Sequence, residues 1–394
     1  MSLSASFLAS EAEIPPALWE RCFPPPLEGR WWYRALEACG LDDQFTFLYA
    51  LIHDAERPIG IAPAFLGTAP ILLAVPAPLQ RTFAFWAKFM PSLLQPRTLF
   101  VGSPCADEGT VGLLPGTDRR AAFECLQQAV EGEARRRDLH MIAWKDFPGS
   151  DADDIAWLQA RHGLFRMVSF PGTIVSLPGP RKDDYFAALK GSRRGQLKKK
   201  IRHSAAHVDV EAEAIQHPSP DVLDEIFRLF WQTHERATTK YERLNRRFFE
   251  LIAEPPVAHF IVIREKRSRD ILAFMLCFDM GGRIINKFIG IDYSRPREWR
   301  LYFRLWDAVI DWALTRGATT IQSGQTGYPA KIETGHTLIP LTNYGRHRNR
   351  LIHRIYSTIA RTITWETLDN DLATFMKAYP MTPQIISSNS APRA

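Results

Sequence analysis

The runs His259-Phe-Ile-Val-Ile-Arg264, Ile271-Leu-Ala-Phe-Met-Leu-Cys-Phe278 and Ile284-Ile-Asn-Lys-Phe-Ile-Gly-Ile291 are followed by Trp299-Arg-Leu-Tyr-Phe-Arg-Leu-Trp-Asp-Ala-Val-Ile-Asp-Trp-Ala-Leu-Thr-Arg316. The first three are short, apolar and rich in β-branched and aromatic residues, so they read as three strands in succession. The fourth changes period. Trp306, Val309, Ile310 and Ala313 fall on one helical face, and Gly317 stands where a helix C-cap is expected. Hairpin-linked strands followed by a helix make a mixed sheet rather than a purely parallel one.

Working outward, the same vocabulary fills the rest of the second half. Val168–Leu177, Val208–Ala214, Thr319–Ser323 and Thr337–Tyr344 read as strands. Asp183–His203, Asp221–Ala237, Arg246–Ala253, Leu351–Thr364 and Leu368–Ala378 read as helices. The first half repeats it, with strands at Phe45–Ile52, Pro58–Leu66, Arg97–Val101 and Leu139–Trp144. Ala69–Leu79, with three prolines, suits a short buried strand. Helices fit Arg119–Arg137, where Phe123, Leu126, Val130 and Ala134 form a stripe, and Asp153–Arg161, closed by Gly163. A chain of 394 residues exceeds what one core usually supports. The expectation is therefore α/β: residues 1–165 and 166–380 as two domains, each a mixed β-sheet flanked by helices, then a mobile tail at 381–394.

Charge divides along the same line. Residues 1–166 hold 15 Lys+Arg against 20 Asp+Glu, a net −5, and the remainder 34 against 23, a net +11. A cationic half suggests a phosphate-bearing partner: a coenzyme, a nucleotide-linked substrate or tRNA. No run reaches the ~18 apolar residues of a spanning helix, and the start lacks the pattern of a secretory signal. The expected location is the cytoplasm. Five scattered cysteines without a C-x-x-C pair argue against disulfides and structural zinc.

Four constellations are candidates for chemistry. Lys190-Gly-Ser-Arg-Arg-Gly-Gln-Leu-Lys-Lys-Lys-Ile-Arg-His203 carries seven Lys+Arg, among them Lys190, Arg193, Arg194 and Lys198, and no acid. Like charges at i,i+4 destabilise a helix slightly, and a polyanionic ligand would relieve them, which keeps open a non-catalytic module that binds RNA or an anionic membrane; a solvated face is the plain alternative. Gly324-Gln-Thr-Gly-Tyr-Pro-Ala-Lys-Ile-Glu-Thr-Gly335 is a glycine-bearing loop leaving a strand. Gly324 and Gly327 let backbone approach a ligand, and Lys331 supplies a cation. Arg346 and His347 belong to a third cluster, Asn343–Arg350. In the fourth, Asp292-Tyr-Ser-Arg-Pro-Arg-Glu-Trp-Arg300, Arg295, Arg297 and Arg300 precede a helix N-terminus, an anion site by geometry. No histidine pair has metal-ligand spacing, and the G-x-S-x-G, H-E-x-x-H and G-x-G-x-x-G motifs are absent, which favours a metal-free transfer reaction.

Three of these stretches carry a family resemblance. The basic segment after Tyr185-Phe186, the helix Leu301–Ala313 with Gly317, and Tyr328-Pro-Ala-Lys-Ile-Glu-Thr-Gly335 resemble the FemAB-like branch of the GNAT superfamily, the peptidoglycan aminoacyltransferases and their bacterial relatives. The resemblance implies two tandem GNAT-like domains and transfer of an acyl or aminoacyl group to an amine, on a small molecule or a cell-envelope precursor. The pyrophosphate loop of ordinary CoA-using members is missing, since Asp292–Arg300 holds no glycine. Arginine side chains must then grip the phosphates of an acyl-CoA donor, the first expectation, or of an aminoacyl-tRNA. The roles expected are Lys331 for charge stabilisation, Tyr328 as hydrogen-bonding partner, and Glu333 or Asp292 as base.

Overall fold

The computed structural model describes residues 3–68, 95–237 and 242–378; the expected strand at Ala69–Leu79 and the tail at 381–394 lie outside the described residues. Fifteen described strands follow one another along the chain: β1 Leu3–Leu8, β2 Thr46–Asp54, β3 Arg57–Thr68, β4 Arg97–Val101, β5 Gly112–Leu113, β6 Met141–Pro148, β7 Phe165–Val168, β8 Gly172–Ser176, β9 Val210–Ile215, β10 Ala258–Glu265, β11 Ile271–Asp279, β12 Arg283–Ile291, β13 Thr320–Ser323, β14 Thr337–Ile339 and β15 Leu341–His347. They form two sheets, ordered β1-β2-β3-β4-β6-β15-β7 (with β5 beside β3) and β14-β8-β13-β12-β11-β10-β9.

The sheets share a plan. Each opens with four antiparallel strands, β1–β4 and β9–β12. A helix then crosses over to a parallel neighbour: Arg119–Arg136 carries β4 to β6, and Leu301–Thr315 carries β12 to β13. An antiparallel strand closes the series, β15 in the first sheet and β8 in the second.

Those closing strands are exchanged between halves. The extended segments 165–176 and 337–347 run antiparallel to each other, paired as β7 with β15 in one sheet and as β8 with β14 in the other. Sheet membership therefore does not follow a division at residue 165/166, because β7 and β15 both complete the first sheet. Pro171 and Pro340 stand at the crossings. Lacking a backbone donor, a proline interrupts a ladder, so the single strands read at Val168–Leu177 and Thr337–Tyr344 each become two. The helix read over Asp183–His203 also divides, into Lys182–Ala188 and Gly191–His207, with Leu189 extended between them.

Alternation places the core. In β10 and β11, Phe260, Val262, Phe274, Leu276 and Phe278 face a core shared with the first half, including Trp32, Phe248 and Phe249. Ile261, Ile263, Ala273, Met275 and Cys277 face the other way, onto Leu305, Trp306, Val309 and Ala313 of the crossover helix. A strand buried on both faces reads as a continuous apolar run, which is why β11 shows no polar alternation.

Candidate active site between the two sheets

Two polar residues, Asn286 and Lys287, break the apolar run of β12. Register passes from Leu276 opposite Phe288 to Cys277 opposite Asn286, so Lys287 is the extra residue of a β-bulge. A bulge re-aims its side chain, and here it sends a lysine inward with only 1% of the side chain exposed. The Lys287 Nζ lies 2.9 Å from Glu28 Oε1, 3.2 Å from Asp107 Oδ1 and 4.6 Å from the Trp32 ring centroid. Burial opposes its charge, but Asp107 and Glu28 more than offset this and hold its pKa above the ordinary value.

Asp107 and Glu108 come from the loop between β4 and β5. That loop is clamped down by Gly109, whose N–H donates to the Asp146 carbonyl at 2.8 Å. Burial raises both acids, although Lys287 pulls Asp107 down and Arg283 pulls Glu108 down; Glu108 reaches about 7. Glu108 Oε1 accepts from Gln322 Nε2 at 3.1 Å. The second oxygen of Asp107, Oδ2, is buried without a hydrogen-bond partner. Glu242 is a further, half-buried acid, likewise pushed to about 7 by desolvation against the pull of Lys145 and Lys287.

The opposite wall is the turn after β13. A Cβ on Gly324 would stand 3.1 Å from Asp107 Oδ1, so glycine eases a close approach of the two halves here. Gly327, at φ 64°, starts a short helix, Tyr328–Glu333, which carries Lys331. The Lys331 Nζ donates to the carbonyls of Gly324 and, at 3.4 Å, Gln325. Burial lowers its pKa to about 8, against the pull of Asp107. Neutral His336 braces this turn. Burial, then Lys331, drives its pKa down to about 3; its Nδ1 donates to the Lys331 carbonyl at 3.0 Å and its Nε2 accepts from Ser323 Oγ at 3.0 Å. A relay from Trp306 Nε1 to Tyr185 Oη and on to the Thr334 carbonyl ties the turn to the crossover helix.

The strands open at this level. β12 pairs with β13 only over Arg283–Asn286, opposite Thr320–Ser323. Beyond it β13 ends and β12 runs on through Lys287 to Ile291, so a wedge opens between the two strands.

The other residues singled out from sequence fall in several places. Tyr328 is fully buried and donates to the Pro171 carbonyl at 2.9 Å, so it anchors the strand crossing. Glu333 pairs with Lys200 of the basic helix. Asp292 closes its own turn, accepting from the Ser294 backbone at 3.0 Å and hydroxyl at 2.6 Å and from Arg295; burial works against its charge, yet these bonds hold its pKa low. Arg295 is occupied by Asp292, Asp270 and Glu265. Arg297 and Arg300 are exposed at the start of Leu301–Thr315. Beside them runs Gly191–His207, led by Lys190 and holding Arg193, Arg194 and Lys198; its Ser204 hydroxyl bonds the Trp299 carbonyl, and Lys200 lies 4.5 Å from the Phe303 ring. Arg346 and His347 lie apart from this group, on β15, where Arg346 pairs with Glu131 at 2.6 Å. Glu28, Asp107, Glu108, Glu242 and Lys287 escaped the sequence reading. Of these, only Lys287 left a mark there, as a charged residue beside Asn286 in the mostly apolar stretch Ile284–Ile291.

A family profile described as peptidoglycan biosynthesis and recognition matches residues 117–370, more than half of the chain. The chain belongs to the FemAB-like family. With the family goes the class of reaction, transfer of an acyl or aminoacyl group. Among solved structures the chain is similar to FemX, at TM-score 0.58 and 10% identity over 91% of this chain and 100% of that one. It is also similar to a tandem GNAT protein from the clavulanic acid biosynthesis pathway, at TM-score 0.51 and 11% identity over 88% and 99%. A conserved protein of unknown function from Bacteroides thetaiotaomicron gives TM-score 0.51 and 12% identity over 86% and 98%. These likenesses show the tandem GNAT fold that the FemAB-like chain adopts. A comparison with curated proteins finds no match. Among the described residues no helix is long and apolar enough to cross a membrane.

Proposed function

We propose that this FemAB-like protein transfers an acyl group from a thioester or ester donor to an amine of a cell-envelope precursor, in the wedge between β12 and β13. The observation that carries the reading is that the strands part where Lys287, Asp107 and Lys331 converge. The donor's phosphates lie at the start of Leu301–Thr315, on exposed Arg297 and Arg300, where unpaired helix N–H groups favour anions. Its carbonyl reaches into the wedge. The acceptor enters as an ammonium ion on the acidic side, drawn by Asp107 Oδ2.

The amine gives a proton to the Asp107–Glu108 pair and attacks the donor carbonyl carbon. A C–N bond forms, the carbonyl oxygen gains charge beside Lys331, and collapse breaks the C–S or C–O bond. The leaving thiolate or alkoxide takes up the second proton, the one the nitrogen of the tetrahedral intermediate gives up as the amide forms. Orientation and a preorganised cation supply most of the acceleration in such a reaction, and a positioned base adds about 10²–10⁴-fold.

The basic helix Gly191–His207 runs on from the same arginines. That continuity favours a second donor, aminoacyl-tRNA, whose backbone would follow the helix. Calorimetry with CoA and with tRNA, on wild type and on Arg297→Ala/Arg300→Ala, tests both. CoA binding lost in the double variant supports the first reading. Binding of tRNA alone, sensitive to Lys199→Gln/Arg202→Gln, supports the second. Binding of neither, with no transfer from either donor, sinks the assignment.

A further inference from the structure

The helix Arg350–Ala360 buries one face and leaves the other bare. Tyr356 and Ala360 are buried against Met141, Ala143 and Phe165 of the first sheet. On the outward side Leu351 is 68% exposed and Ile355 38% exposed, two of the three large apolar side chains exposed among the described residues. Four positions apart, they share one strip of surface. Arg350, Arg354 and Arg361 are all exposed beside it, and none is ion-paired among the described residues. From Glu333 to Glu366 the chain has no intervening acid but five arginines: 346, 348, 350, 354 and 361.

We infer that this helix seats the protein on an anionic phospholipid surface, with Leu351 and Ile355 entering the acyl boundary and the arginines meeting lipid phosphates. An apolar strip edged by arginine is the pattern of a helix lying in the membrane interface. Charge decides the sign of the surface, and the apolar pair decides its nature: exposed Leu and Ile gain nothing from the phosphates of RNA, whereas lipid buries them. The basic helix Gly191–His207 lacks this feature; its apolar Leu197 is buried and Ile201 half-buried. The inference is independent of the chemistry between the sheets, though it suits an acceptor held at a membrane.

Co-sedimentation of the full chain with vesicles of phosphatidylcholine, alone or mixed with phosphatidylglycerol, tests it. Wild type is expected to bind only the mixed vesicles, more weakly as salt rises. Arg350→Gln/Arg354→Gln/Arg361→Gln should lower affinity about a hundredfold, at roughly fivefold per arginine near the surface. Leu351→Ser/Ile355→Ser should lower it about tenfold or more. Both substitutions are at exposed sites, and unchanged melting confirms folding. Lys199→Gln/Arg202→Gln on the other basic helix should bind as wild type. Equal binding to neutral vesicles, or none to either, overturns the inference. So does a serine variant that binds normally while the glutamine variant fails, the signature of a general polyanion site. A wild-type dimer that the serine variant turns monomeric also overturns it, because a second copy would then cover the strip. Transfer to a soluble amine should survive in both helix variants, and Lys331→Ala should keep vesicle binding, so failure here and failure of the catalytic reading are separable.

Discussion

Lys287 and Asp107 meet across the junction of the two sheets, Nζ to Oδ1 at 3.2 Å, with Glu28 completing the set at 2.9 Å. The lysine comes from the bulge of β12 and both acids from the first half. Neither sign of charge is tolerable at that depth without the other, so the pair couples folding of the site to docking of the halves. Lys287→Met should cost about 3–5 kcal/mol, because it strands two buried carboxylates. Adding Glu28→Gln and Asp107→Asn should recover much of that loss. Urea denaturation of the single and triple variants measures it, and strictly additive losses would contradict the coupling.

The pH profile of transfer follows from two groups. The acid that accepts the amine proton must be ionised, and Glu108 sits at about 7. Lys331 must be charged to meet the oxyanion, and it sits at about 8. The rate should rise through the first value and fall beyond the second, a narrow bell. Glu108→Gln should move or remove the acid limb and leave the alkaline limb. Stability carries the opposite sign for this residue. A carboxylate raised on folding contributes fully at pH values below its unfolded pKa and loses that contribution as pH climbs through the folded one. Glu108→Gln should therefore flatten the decline in stability between about pH 5 and pH 8.

Lys331→Ala should lower turnover by roughly 10²-fold, as the loss of one oxyanion partner does. The side chain bonds only backbone carbonyls, and its depressed pKa means that folding works against its charge, so melting should change little. Single-turnover kinetics separates this from a binding defect: the chemical step should slow while the affinity for donor holds. An unchanged chemical step would remove Lys331 from the mechanism.

Much of the fold could be read from periodicity because most elements are local: β10–β12 and the crossover helix declare themselves over 58 residues, from Ala258 to Thr315. The exchange of β8 and β15 could not, since nothing in Val168–Leu177 says which sheet each end joins; only Pro171 hints at a break. Lys331, Gly324 and Gly327 are legible because a glycine-bearing turn after a strand is itself a local pattern. Asp107 and Glu108 are not, being two acids in a loop whose meaning depends on Lys287 in the other half. Tyr328 and Asp292 misled for a related reason. A tyrosine or aspartate at a turn looks the same in sequence whether it faces a ligand or, as here, a carbonyl and a neighbouring backbone N–H.

The loop bearing Asp107 and Glu108 offers a sharper test, through Gly109. A Cβ there would lie inside van der Waals contact of the Lys145 carbonyl oxygen and 2.7 Å from the ring of buried Phe147. The backbone of Gly109 is not in the left-handed region, so Gly109→Ala meets no positive-φ strain and its cost comes from contact. Neither neighbour can give way easily, one being backbone within β6 and the other a core ring. The loop must move instead, and with it the Glu108–Gln322 bond at 3.1 Å and the Asp107–Lys287 pair. Melting should fall by several degrees, as for about 1–3 kcal/mol of overpacking. Turnover should fall roughly 10²-fold, because a shift near 1 Å in a reacting group costs that much. CoA or tRNA affinity should hold, since Arg297 and Arg300 lie on a different element. Gly132→Ala is the matched control. It sits within Arg119–Arg136 with open space around it, so alanine there should be neutral or stabilising by up to ~1 kcal/mol. Wild-type turnover in Gly109→Ala, with melting lowered as expected, would show that the acid loop shapes the fold without serving the reaction.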